Sequence, residues 1–516
     1  MKGFKILVSF LMFALLLTTV QAGHAISTNI YINGNQLVTD VSPTIINQTT
    51  MVPMRAIFEA LGATVHWDEQ TKTVSGYKDS TRVSLTLNNK NALLNGSSIV
   101  LNVAPTIIGN RTMVPARFVA ESLHATVDWN NSTKTVSITV NNKSQNEEMR
   151  GLWVASVINL DYPSVPSVND TKLKVEANAI LDKAEQLGLN SIFLQVRPTA
   201  DALYKSEYFP WSKYLTGKQG TAPNYDFDPL TYWVKEAHDR GIELHAWINP
   251  YRITKKKAGE PALDYASLDP SHPAIKNPDW VVEHTDGNLY FNPGLPEVRQ
   301  LIIDSSMELI EKYDIDGIHL DDYFYPSKNF NDGKTYAEYG TKFNNIDDWR
   351  RDNVNKLIKD LGIAIKAKSS KVSYGISPFG IWCNKSSSKM GSDTRGMQSY
   401  VDQYADSRKW VKEEYIDYIV PQIYWHIGFD IADYSKLLAW WTDVVKDSNV
   451  DLYIGQAAYR AGSSNPDSAW YGSAELVRQL DLNSTYSEVK GSIFFNYTAL
   501  KNKSVIADML EERYVK

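Results

Sequence analysis

Two adjacent carboxylates follow the apolar run IDGIHL, and their types and spacing are suited to acid–base chemistry. If the run is a strand, Ile318 and Leu320 face one way while His319 and Asp321 face the other. Asp322 then stands where the strand gives way to a loop. Neighbouring carboxylates can differ in protonation, because the charge of one raises the pKa of the other. Asp321 and Asp322 are therefore the candidate catalytic residues, and one of them is expected to be a general acid.

Further polar and aromatic side chains stand at or just beyond the ends of other apolar runs. Flat aromatic faces beside hydrogen-bonding groups suit sugar rings, which have apolar faces and hydroxyl edges. The sequence therefore predicts a polysaccharide as the binding partner. The candidate substrate-binding residues are Arg197, Asp201, His245, Trp247, Asn249, His319, Tyr323, Trp382, Gln422, Tyr424, Trp425, Tyr459 and Asn496.

Acid-catalysed cleavage of a glycosidic bond also needs a group that stabilises or attacks the anomeric carbon. Asp321 and Asp322 point in different directions in a strand, so they need not be the working pair. Asp161, Asp201 and Asp393 are the other carboxylates that could supply this group. A substrate with a 2-acetamido group could instead supply its own nucleophile, leaving one protein carboxylate sufficient.

Two other classes of function stay open. A metal-dependent deacetylase would use His245, His319 and Asp321 as ligands, although the chain has no HxH or HExxH spacing among them. No metal or other cofactor is therefore expected. A barrel that binds carbohydrate without cleaving it would carry the same aromatic residues. Hydrolysis of the purified polysaccharide, lost in Asp321→Asn, would separate this last class from an enzyme.

Eight strand-like apolar runs alternate with helical patterns in the C-terminal region. Helical patterns include 170–187, which begins at a capping Asp170, and 296–312, with Pro296 in its first turn. The alternation predicts an α/β fold, a (β/α)8 TIM barrel over residues 150–516. An open doubly wound sheet is the alternative, and it is disfavoured because no glycine-rich phosphate loop follows the first run. The strand-like runs are 151–158, 191–196, 242–248, 315–320, 372–377, 416–424, 452–458 and 491–497.

An internal repeat precedes this region. The segment PTIINQTTMVPMRAIFEALGATVHWDEQTKTV (43–74) recurs 62 residues later as PTIIGNRTMVPARFVAESLHATVDWNNSTKTV (105–136). In each copy Met-Val-Pro leads into a helical pattern, with Ile57 and Phe58 on the apolar face of the first, and a short strand follows. Residues 26–142 are therefore predicted to form a smaller α+β module of two repeats packed on each other.

The N-terminus has the pattern of a secretory signal peptide. Lys2 and Lys5 precede an apolar run over residues 6–20, and small residues lead to a preferred cleavage site after Ala25, with Ala22 as the alternative. The run is shorter than the roughly 20 apolar residues that a spanning helix needs. We therefore predict a signal peptide at 1–25, no stable membrane anchor after cleavage and a secreted protein, with wall association left open.

Composition narrows the partners further. The chain carries a net charge of −6, and its single basic run, 255–257, is interpreted as a solvated loop, so nucleic acid is not an expected partner. Cys383 is the one cysteine of the sequence, which excludes an intramolecular disulfide and a cysteine-based zinc site. The polar stretch at 143–149 is predicted to be a linker between the module and the barrel.

Several segments of the C-terminal region resemble the bacterial glycosyl-hydrolase-like family 10. They are QVRPTADALY (195–204), HAWINPYR (245–252), FNPGLPEVR (291–299), YDIDGIHLDDYFYP (313–326) and YIVPQIYW (418–425). The resemblance extends over nearly all of 150–510. It implies a secreted glycoside hydrolase, and members of that family with an assigned activity act on the glycan strands of peptidoglycan.

The same acidic strand is also similar to the pattern of family 18 chitinases, Asp-Gly-x-Asp-x-Asp-x-Glu. Asp316, Gly317 and Asp321 match this pattern, but His319 replaces an Asp and Tyr323 stands where the catalytic Glu would be. The chitinase acid therefore cannot be transferred to this chain, and Asp321 or its neighbour must serve if this strand is catalytic.

The N-terminal repeats resemble the copper amine oxidase N-terminal-like repeat of secreted bacterial proteins. The resemblance covers about 26–142 and implies binding or targeting to the wall; a plain folding spacer is the alternative. Copper is not expected, because His66 and His124 are the only histidines of the two repeats.

Overall fold

The structure, a computed structural model, describes residues 28–515 except 33, 79–80, 95, 124, 132, 141–147, 258, 264 and 323. The chain divides into two compact units, residues 1–145 and 146–516. The expected signal peptide and most of the expected linker lie outside the described residues. Within the described residues, no helix combines the length and the apolar character needed to cross a lipid bilayer.

The described residues of the N-terminal unit form three small sheets and two short helices. One sheet contains Ala125–Asn130, Thr135–Val140, Asn29–Ile32 and Asn35–Gln36, in that order. The second contains Thr106–Ile108, Arg111–Pro115, Thr49–Pro53 and Thr44–Ile46. The third contains Thr64–Asp68, Thr73–Lys78, Thr81–Thr86, Asn91–Leu94 and Ser97–Val100. The helices are Met54–Ala60 and Ala116–Ser122.

The two repeats pack on each other through equivalent segments. Each Met-Val-Pro forms a strand, and the two strands pair antiparallel, with Val52 opposite Val114. The helix after each strand turns its apolar side inward, so that Ile57, Phe58 and Val119 are fully buried in one shared core. The expected two-repeat module is therefore present, and it is richer in strands than in helices.

The C-terminal unit is a closed barrel of eight strands. All eight pair in parallel, and the last strand pairs with the first. The strands are β1 (Met149–Val154), β2 (Ser191–Arg197), β3 (Glu243–Ile248), β4 (Gly317–Leu320), β5 (Ser373–Ile376), β6 (Tyr418–Ile419), β7 (Asp451–Gln456) and β8 (Val489–Phe494). The expected TIM barrel is confirmed, and β1 begins at the last residue of the expected linker.

A helix follows each barrel strand. These helices are α1 (Asp170–Gln186), α2 (Pro229–His238), α3 (Pro296–Lys312), α4 (Ile346–Lys368), α5 (Ser407–Lys412), α6 (Tyr434–Val445), α7 (Ala474–Asn483) and α8 (Ser504–Tyr514). Shorter helices lie in the loops at Lys213–Thr216, Pro273–Lys276, Gly333–Tyr339, Ser399–Asp402 and Tyr497–Asn502. A hairpin of Val281–Glu283 and Leu289–Phe291 lies between β3 and α3.

Local signals set most of these boundaries. Pro296 occupies the first turn of α3, where its missing N–H costs nothing. The cap of α1 is Asn169, whose side chain accepts from the backbone N–H of Lys172, rather than the expected Asp170. Strand β6 is much shorter than the expected run 416–424, and beyond it Gln422 forms only isolated bridges with Phe379 and Gly455.

Alternation along the strands separates two layers of packing. Outward side chains, such as Ile318 and Leu320, join the core between barrel and helices. Inward side chains, such as Trp153 and Phe193, fill the barrel interior. Glycine makes room for the large inward rings: a Cβ at Gly317 would lie 2.1 Å from the ring of His245.

Candidate active site

A cavity of about 400 Å³ opens at the carboxyl ends of the barrel strands, where TIM-barrel active sites lie. Each of the eight strands or the loop after it contributes to the lining. The lining residues are Trp153, Ala155, Val157, Leu160, Gln195, Trp247, Arg252, Lys255, Asp321, Asp322, Ser377, Phe379, Gln422, Tyr424, Trp425, Tyr459, Arg460 and Phe495.

Asp321 is held by a chain of amide hydrogen bonds. Asn249 donates to it from Nδ2 at 2.5 Å, and Gln195 donates to Asn249 at 2.7 Å. The side-chain amide oxygen of Gln195, Oε1, accepts from the backbone N–H groups of Ser156 and Val157 at 3.0 and 2.9 Å. Because only donors can satisfy a carboxylate, this chain fixes Asn249 as the donor and orients Asp321 towards the cavity.

Asp322 is buried beside it, with 8% of its surface exposed. Burial raises the pKa of the Asp322 carboxyl well above its usual range, and the negative charge of Asp321 raises it further. The charge of Arg252 and hydrogen bonding from Gln422 oppose this shift without cancelling it. The carboxyl of Asp322 therefore holds its proton at a pH where an exposed Asp has lost it, as a proton donor requires.

A hydrogen-bonded chain runs through the barrel below the acids. The indole of Trp153 can only donate, and it donates to His319 Nε2 at 3.3 Å. His319 Nδ1 then carries the hydrogen and donates to the Tyr418 hydroxyl at 3.2 Å. The Tyr418 hydroxyl in turn donates to His245 Nδ1, also at 3.2 Å. His245 Nε2 lies 3.3 Å from the carboxylate of Glu243. Burial, and then the nearby His245, lower the pKa of His319, so its ring stays neutral.

Aromatic rings form one wall of the cavity. Tyr424, Tyr459 and Phe495 pack on one another, with centroids 5.8 to 6.2 Å apart. Phe379 and Trp425 form an edge-to-face pair with centroids 5.5 Å apart. Such a wall offers apolar faces on which sugar rings can stack.

The cavity brings together part of the expected site. Of the candidates, the residues on its lining are Asp321, Asp322, Trp247, Gln422, Tyr424, Trp425 and Tyr459. Asn249 and His319 lie directly behind the lining, through their bonds to Asp321 and to Trp153. Tyr323 lies outside the described residues.

Arg197 and Asn496 are expected substrate contacts that the structure places on the other side of the sheet. The pairing of β2 with β3 slips between Gln195 and Arg197, and this bulge turns Arg197 outward, where it donates to Ser305 on α3. Alternation in β8 points Ile493 inward and Asn496 outward, where its amide donates to Asp161 at 2.8 Å. The inward residue at the end of β8 is Phe495.

Three further candidates serve the core or the loops. Trp382 is 3% exposed, stacks on Trp440 and donates to Asp406 at 3.1 Å, so it packs within the outer layer. Asp201 is fully buried and accepts from Thr199 and Gln219. His245 lies deep in the barrel, stacked on Phe193. None of the three belongs to the cavity lining.

None of the proposed second acids belongs to the cavity lining. Asp161 is buried and accepts from the backbone N–H groups of Ala155 and Thr498, at 2.8 Å each. Asp393 lies on the surface in an ion pair with Lys436. Asp201 is enclosed by its own loop.

The set His245, His319 and Asp321 also fails to converge on one point. The histidine nitrogens bond within the barrel core, while Asp321 faces the cavity above them. Throughout the part of the chain that the structure describes, no three His, Cys, Asp or Glu side chains gather as a metal site requires. The geometry gives no support to the metal-dependent alternative.

Several residues of the site were not among the sequence candidates. Alternation would have found Gln195, two positions after the inward Phe193, and Phe379 and Phe495 by the same rule. The sequence predicts a solvated loop at 255–257, and the structure instead places Lys255 on the cavity lining. No periodic signal marks loop residues, so this position required the structure.

Comparison with known proteins gives two family matches. Residues 148–472 match the family described as "Glycosyl hydrolase-like 10", and residues 31–138 match "Copper amine oxidase N-terminal domain". These are the two families, in the same order, that the sequence resembles.

Named relatives and solved structures are also similar. The chain is 47% identical over 377 residues to Glycosyl hydrolase YngK of Bacillus subtilis (strain 168), covering 72% of each chain. It is 40% identical over 371 residues to Glycosyl hydrolase DigH of Escherichia coli (strain K12), covering 68% of this chain and 84% of that relative. The PgaB (BpsB) glycoside hydrolase domain from Bordetella bronchiseptica superimposes with a TM-score of 0.45 at 11% identity, over 72% of this chain and 99% of that one.

Proposed function

The chain belongs to the glycosyl hydrolase-like 10 family and is a glycoside hydrolase, and we propose that it cleaves the amino-sugar glycan of the bacterial cell wall, with Asp322 as the general acid. One observation carries the mechanism: a buried carboxyl with a raised pKa lies beside a second carboxylate in an aromatic-lined cavity. The resemblance to a family whose members act on peptidoglycan glycan strands supports the substrate.

The position of the two acids favours a mechanism in which the substrate supplies the nucleophile. Asp321 and Asp322 are adjacent at the end of β4, so they approach a bound sugar from one side. Inverting enzymes need carboxylates on opposite sides of the bond, about 6.5–9.5 Å apart. Among the described residues of the cavity lining, these two are the only carboxylates. A nucleophile from the sugar itself, its 2-acetamido oxygen, fits this arrangement.

In the proposed reaction, Asp322 gives its proton to the glycosidic oxygen as the bond to the anomeric carbon breaks. The acetamido carbonyl oxygen bonds to that carbon. Asp321 accepts a hydrogen bond from the acetamido N–H and so holds the carbonyl oxygen in position for this attack. Asn249 and Gln195 keep Asp321 in this orientation. Water then attacks the anomeric carbon, releases the acetamido oxygen and returns a proton to Asp322.

Digestion of purified wall glycan, followed by mass analysis of the products, tests the proposal. We expect Asp322→Asn and Asp321→Asn to keep the fold and to lose about 10²–10⁴-fold in turnover. Asp393→Asn is the matched control, because that carboxylate is exposed and paired with Lys436. Near-normal turnover in both active-site variants would exclude β4 as the catalytic strand, and binding without any cleavage by the intact protein would identify a carbohydrate-binding barrel.

The pH profile assigns the roles. The acid must be protonated, so activity should fall as pH rises through the raised pKa of Asp322. Removing the charge of Asp321 removes one cause of that raised pKa, so the alkaline limb of the residual activity in Asp321→Asn should move to lower pH. An alkaline limb that stays in place would assign the titration to another group.

We also propose that the protein is secreted and that its signal peptide is removed. The N-terminal pattern of Lys2, Lys5 and the following apolar run supports secretion with cleavage after Ala25. N-terminal sequencing of the protein recovered from the medium or the wall fraction tests it: a first residue at Ile26 is expected, and an intact Met1 would contradict it.

A further inference from the structure

Helix α7 carries a buried acid that the proposed mechanism does not use. Glu475 is 3% exposed, and it is not among the residues that line the cavity. Removing a carboxylate from water is unfavourable unless hydrogen bonds or an opposite charge compensate for the lost hydration. The burial of this acid in the outer layer of the barrel therefore needs an explanation.

Neither the helix nor the ion pair of Glu475 supplies that explanation. Glu475 stands in the first turn of α7, where the partial positive charge of the helix N-terminus stabilises an acid, whether it is buried or exposed. Its ion-pair partner, Arg478, lies 3.0 Å away with a side chain that is 60% exposed. Both interactions could therefore form equally well at the surface.

The carboxylate of Glu475 instead binds the loop that follows β6. Its Oε1 accepts from the backbone N–H of Ile427 at 2.6 Å and from the amide nitrogen of Gln479 at 2.9 Å. The same Gln479 nitrogen donates to the backbone carbonyl of Trp425 at 3.0 Å. Two side chains one helical turn apart on α7 therefore fix the backbone on both sides of His426.

This attachment determines where the Trp425 side chain points, because a side chain leaves the backbone in a direction that the adjacent peptide groups set. Trp425 lies on the cavity lining, where its ring packs edge to face on Phe379. Gly380 leaves space for the ring, since a Cβ at that position would lie 3.1 Å from it. Contacts at the cavity thus hold the ring, and α7 holds the backbone that carries it.

We propose that Glu475 is a positioning residue for sugar binding, which holds the loop after β6 so that Trp425 presents its ring to the substrate. The inference rests on the proposed function, because it takes the aromatic wall as the surface that a sugar contacts. A stacked ring contacts the sugar before and during bond cleavage, so its displacement weakens both states equally. Loss of Glu475 therefore raises KM and leaves kcat unchanged.

Steady-state hydrolysis of a soluble wall-glycan oligosaccharide of defined length tests this split. We expect Glu475→Ala to raise KM by about three- to tenfold, as for the loss of one stacking contact, with kcat within about twofold of the parent value. Glu475→Gln keeps an oxygen that can accept from Ile427, so its KM should stay within about twofold of the parent value. A fall in kcat at unchanged KM would overturn the proposal.

Glu308 on α3 provides a matched control. It is 4% exposed, accepts from the backbone N–H of Glu207 at 2.6 Å and pairs with Lys312 on the same helix, so it repeats the arrangement of Glu475 at another loop. Neither Glu308 nor Glu207 is among the lining residues of the cavity. Glu308→Ala should therefore lower the free energy of unfolding, as Glu475→Ala does, without changing KM. An equal rise of KM in both variants would contradict a specific role for Glu475.

A double-mutant cycle shows whether Glu475 acts through Trp425. In Trp425→Ala protein the ring is absent, so adding Glu475→Ala should change KM by less than about twofold. A full additional loss in that background would exclude this route. If Glu475→Ala does not fold, Gln479→Met replaces it, because Met keeps the volume of the side chain and removes the donor to Trp425. Its KM should rise by about two- to fivefold, and an unchanged KM would contradict the proposal.

The inference and the proposed function fail separately. A crystal structure of Glu475→Ala, or of Gln479→Met, should show the Trp425 ring displaced from Phe379, whichever sugar is the substrate. An unmoved ring would overturn the positioning role. Hydrolysis that persists in Asp322→Asn would overturn the catalytic proposal and leave the ring position and the KM ratios to decide the inference.

Discussion

At the scale of single residues, Asp322 shows how the site sets the needs of catalysis against those of folding. Its carboxyl is almost fully buried, and its folded-state pKa lies above the value of about 3.9 that an unfolded chain gives. Ionisation of this group therefore costs more in the folded state than in the unfolded state. Stability is fully present below the unfolded pKa and is lost as pH rises through the folded pKa.

The first prediction follows from that sign. Asp322→Asn cannot ionise, so we expect it to raise the free energy of unfolding at neutral pH relative to the parent protein. The gain should fade as pH falls towards about 4, where the parent carboxyl is protonated in both states. Denaturant unfolding at a series of pH values measures it. A variant that is less stable at neutral pH would show that the ionised carboxylate is favoured in the folded state.

The second prediction separates two tryptophans that look equivalent in the sequence. Trp425 lines the cavity, so Trp425→Ala should weaken substrate binding. Trp382 is buried between Trp440 and Tyr400, so Trp382→Ala should lower the free energy of unfolding by about 3–5 kcal/mol and leave affinity in the folded fraction unchanged. Glycan affinity and denaturant unfolding, measured on both variants, decide it, and a reversed pattern would contradict the assignment.

At the scale of elements, strand alternation explains which site residues the sequence predicts. Trp247, Asn249 and Asp321 follow the inward phase of their strands, so their positions could be predicted. Arg197 could not, because a bulge reverses its side after Gln195 and no residue type marks the slip. Alternation identifies the inward side but not the depth, which is why inward residues can serve the core as well as the site.

The loop after β4 carries Asp322 and is fastened to helix α4. Arg350 on that helix donates to both oxygens of Asp332 and to the carbonyls of Lys328 and Phe330. Both partners are buried, with side-chain exposures of 5% and 0%. Water cannot replace this pair, so the loop depends on it for its position.

The third prediction concerns this attachment. Arg350→Ala leaves the Asp332 charge buried without its partner, so we expect a loss of about 3–5 kcal/mol in the free energy of unfolding. Turnover should fall as well, because the loop that positions Asp322 is released. Lys356→Ala, which breaks a part-exposed pair with Asp352 on the same helix, should cost less than about 1 kcal/mol. Similar unfolding curves for the two variants would show that the buried pair does not hold the loop.

At the scale of the whole molecule, the boundary predicted between the repeat module and the barrel separates two sets of buried hydrophobic clusters. The repeat module has its own buried cluster around Ile57, Phe58 and Val119, and the barrel has separate clusters inside and outside its strands. The repeats and the eight alternating runs were enough to predict both architectures. The shape of each cavity was not predictable, because loops and bulges decide it.

The repeat module has a cavity of its own, so it offers a binding surface separate from the active site of the barrel. This cavity has a volume of about 590 Å³, and Trp129, Arg117, Asn102 and Gln48 are among its lining residues. Trp129 is 38% exposed, so an aromatic face with polar neighbours is open to a ligand. Such a surface agrees with the expected role of the module in binding the wall rather than in cleaving it.

The last prediction tests that separation of roles. A protein lacking residues 26–142 should keep a folded barrel that hydrolyses soluble wall glycan at the parent rate, because every described residue of the active-site lining belongs to the barrel. Its retention on insoluble wall material should fall, and the single change Trp129→Ala in the full chain should reproduce that fall in part. Circular dichroism, turnover on soluble glycan and sedimentation with wall fragments measure the three quantities. A truncated protein that cannot fold would mean that the barrel depends on the module for its stability, whereas full retention on the wall would assign wall binding to the barrel and leave the module as a spacer.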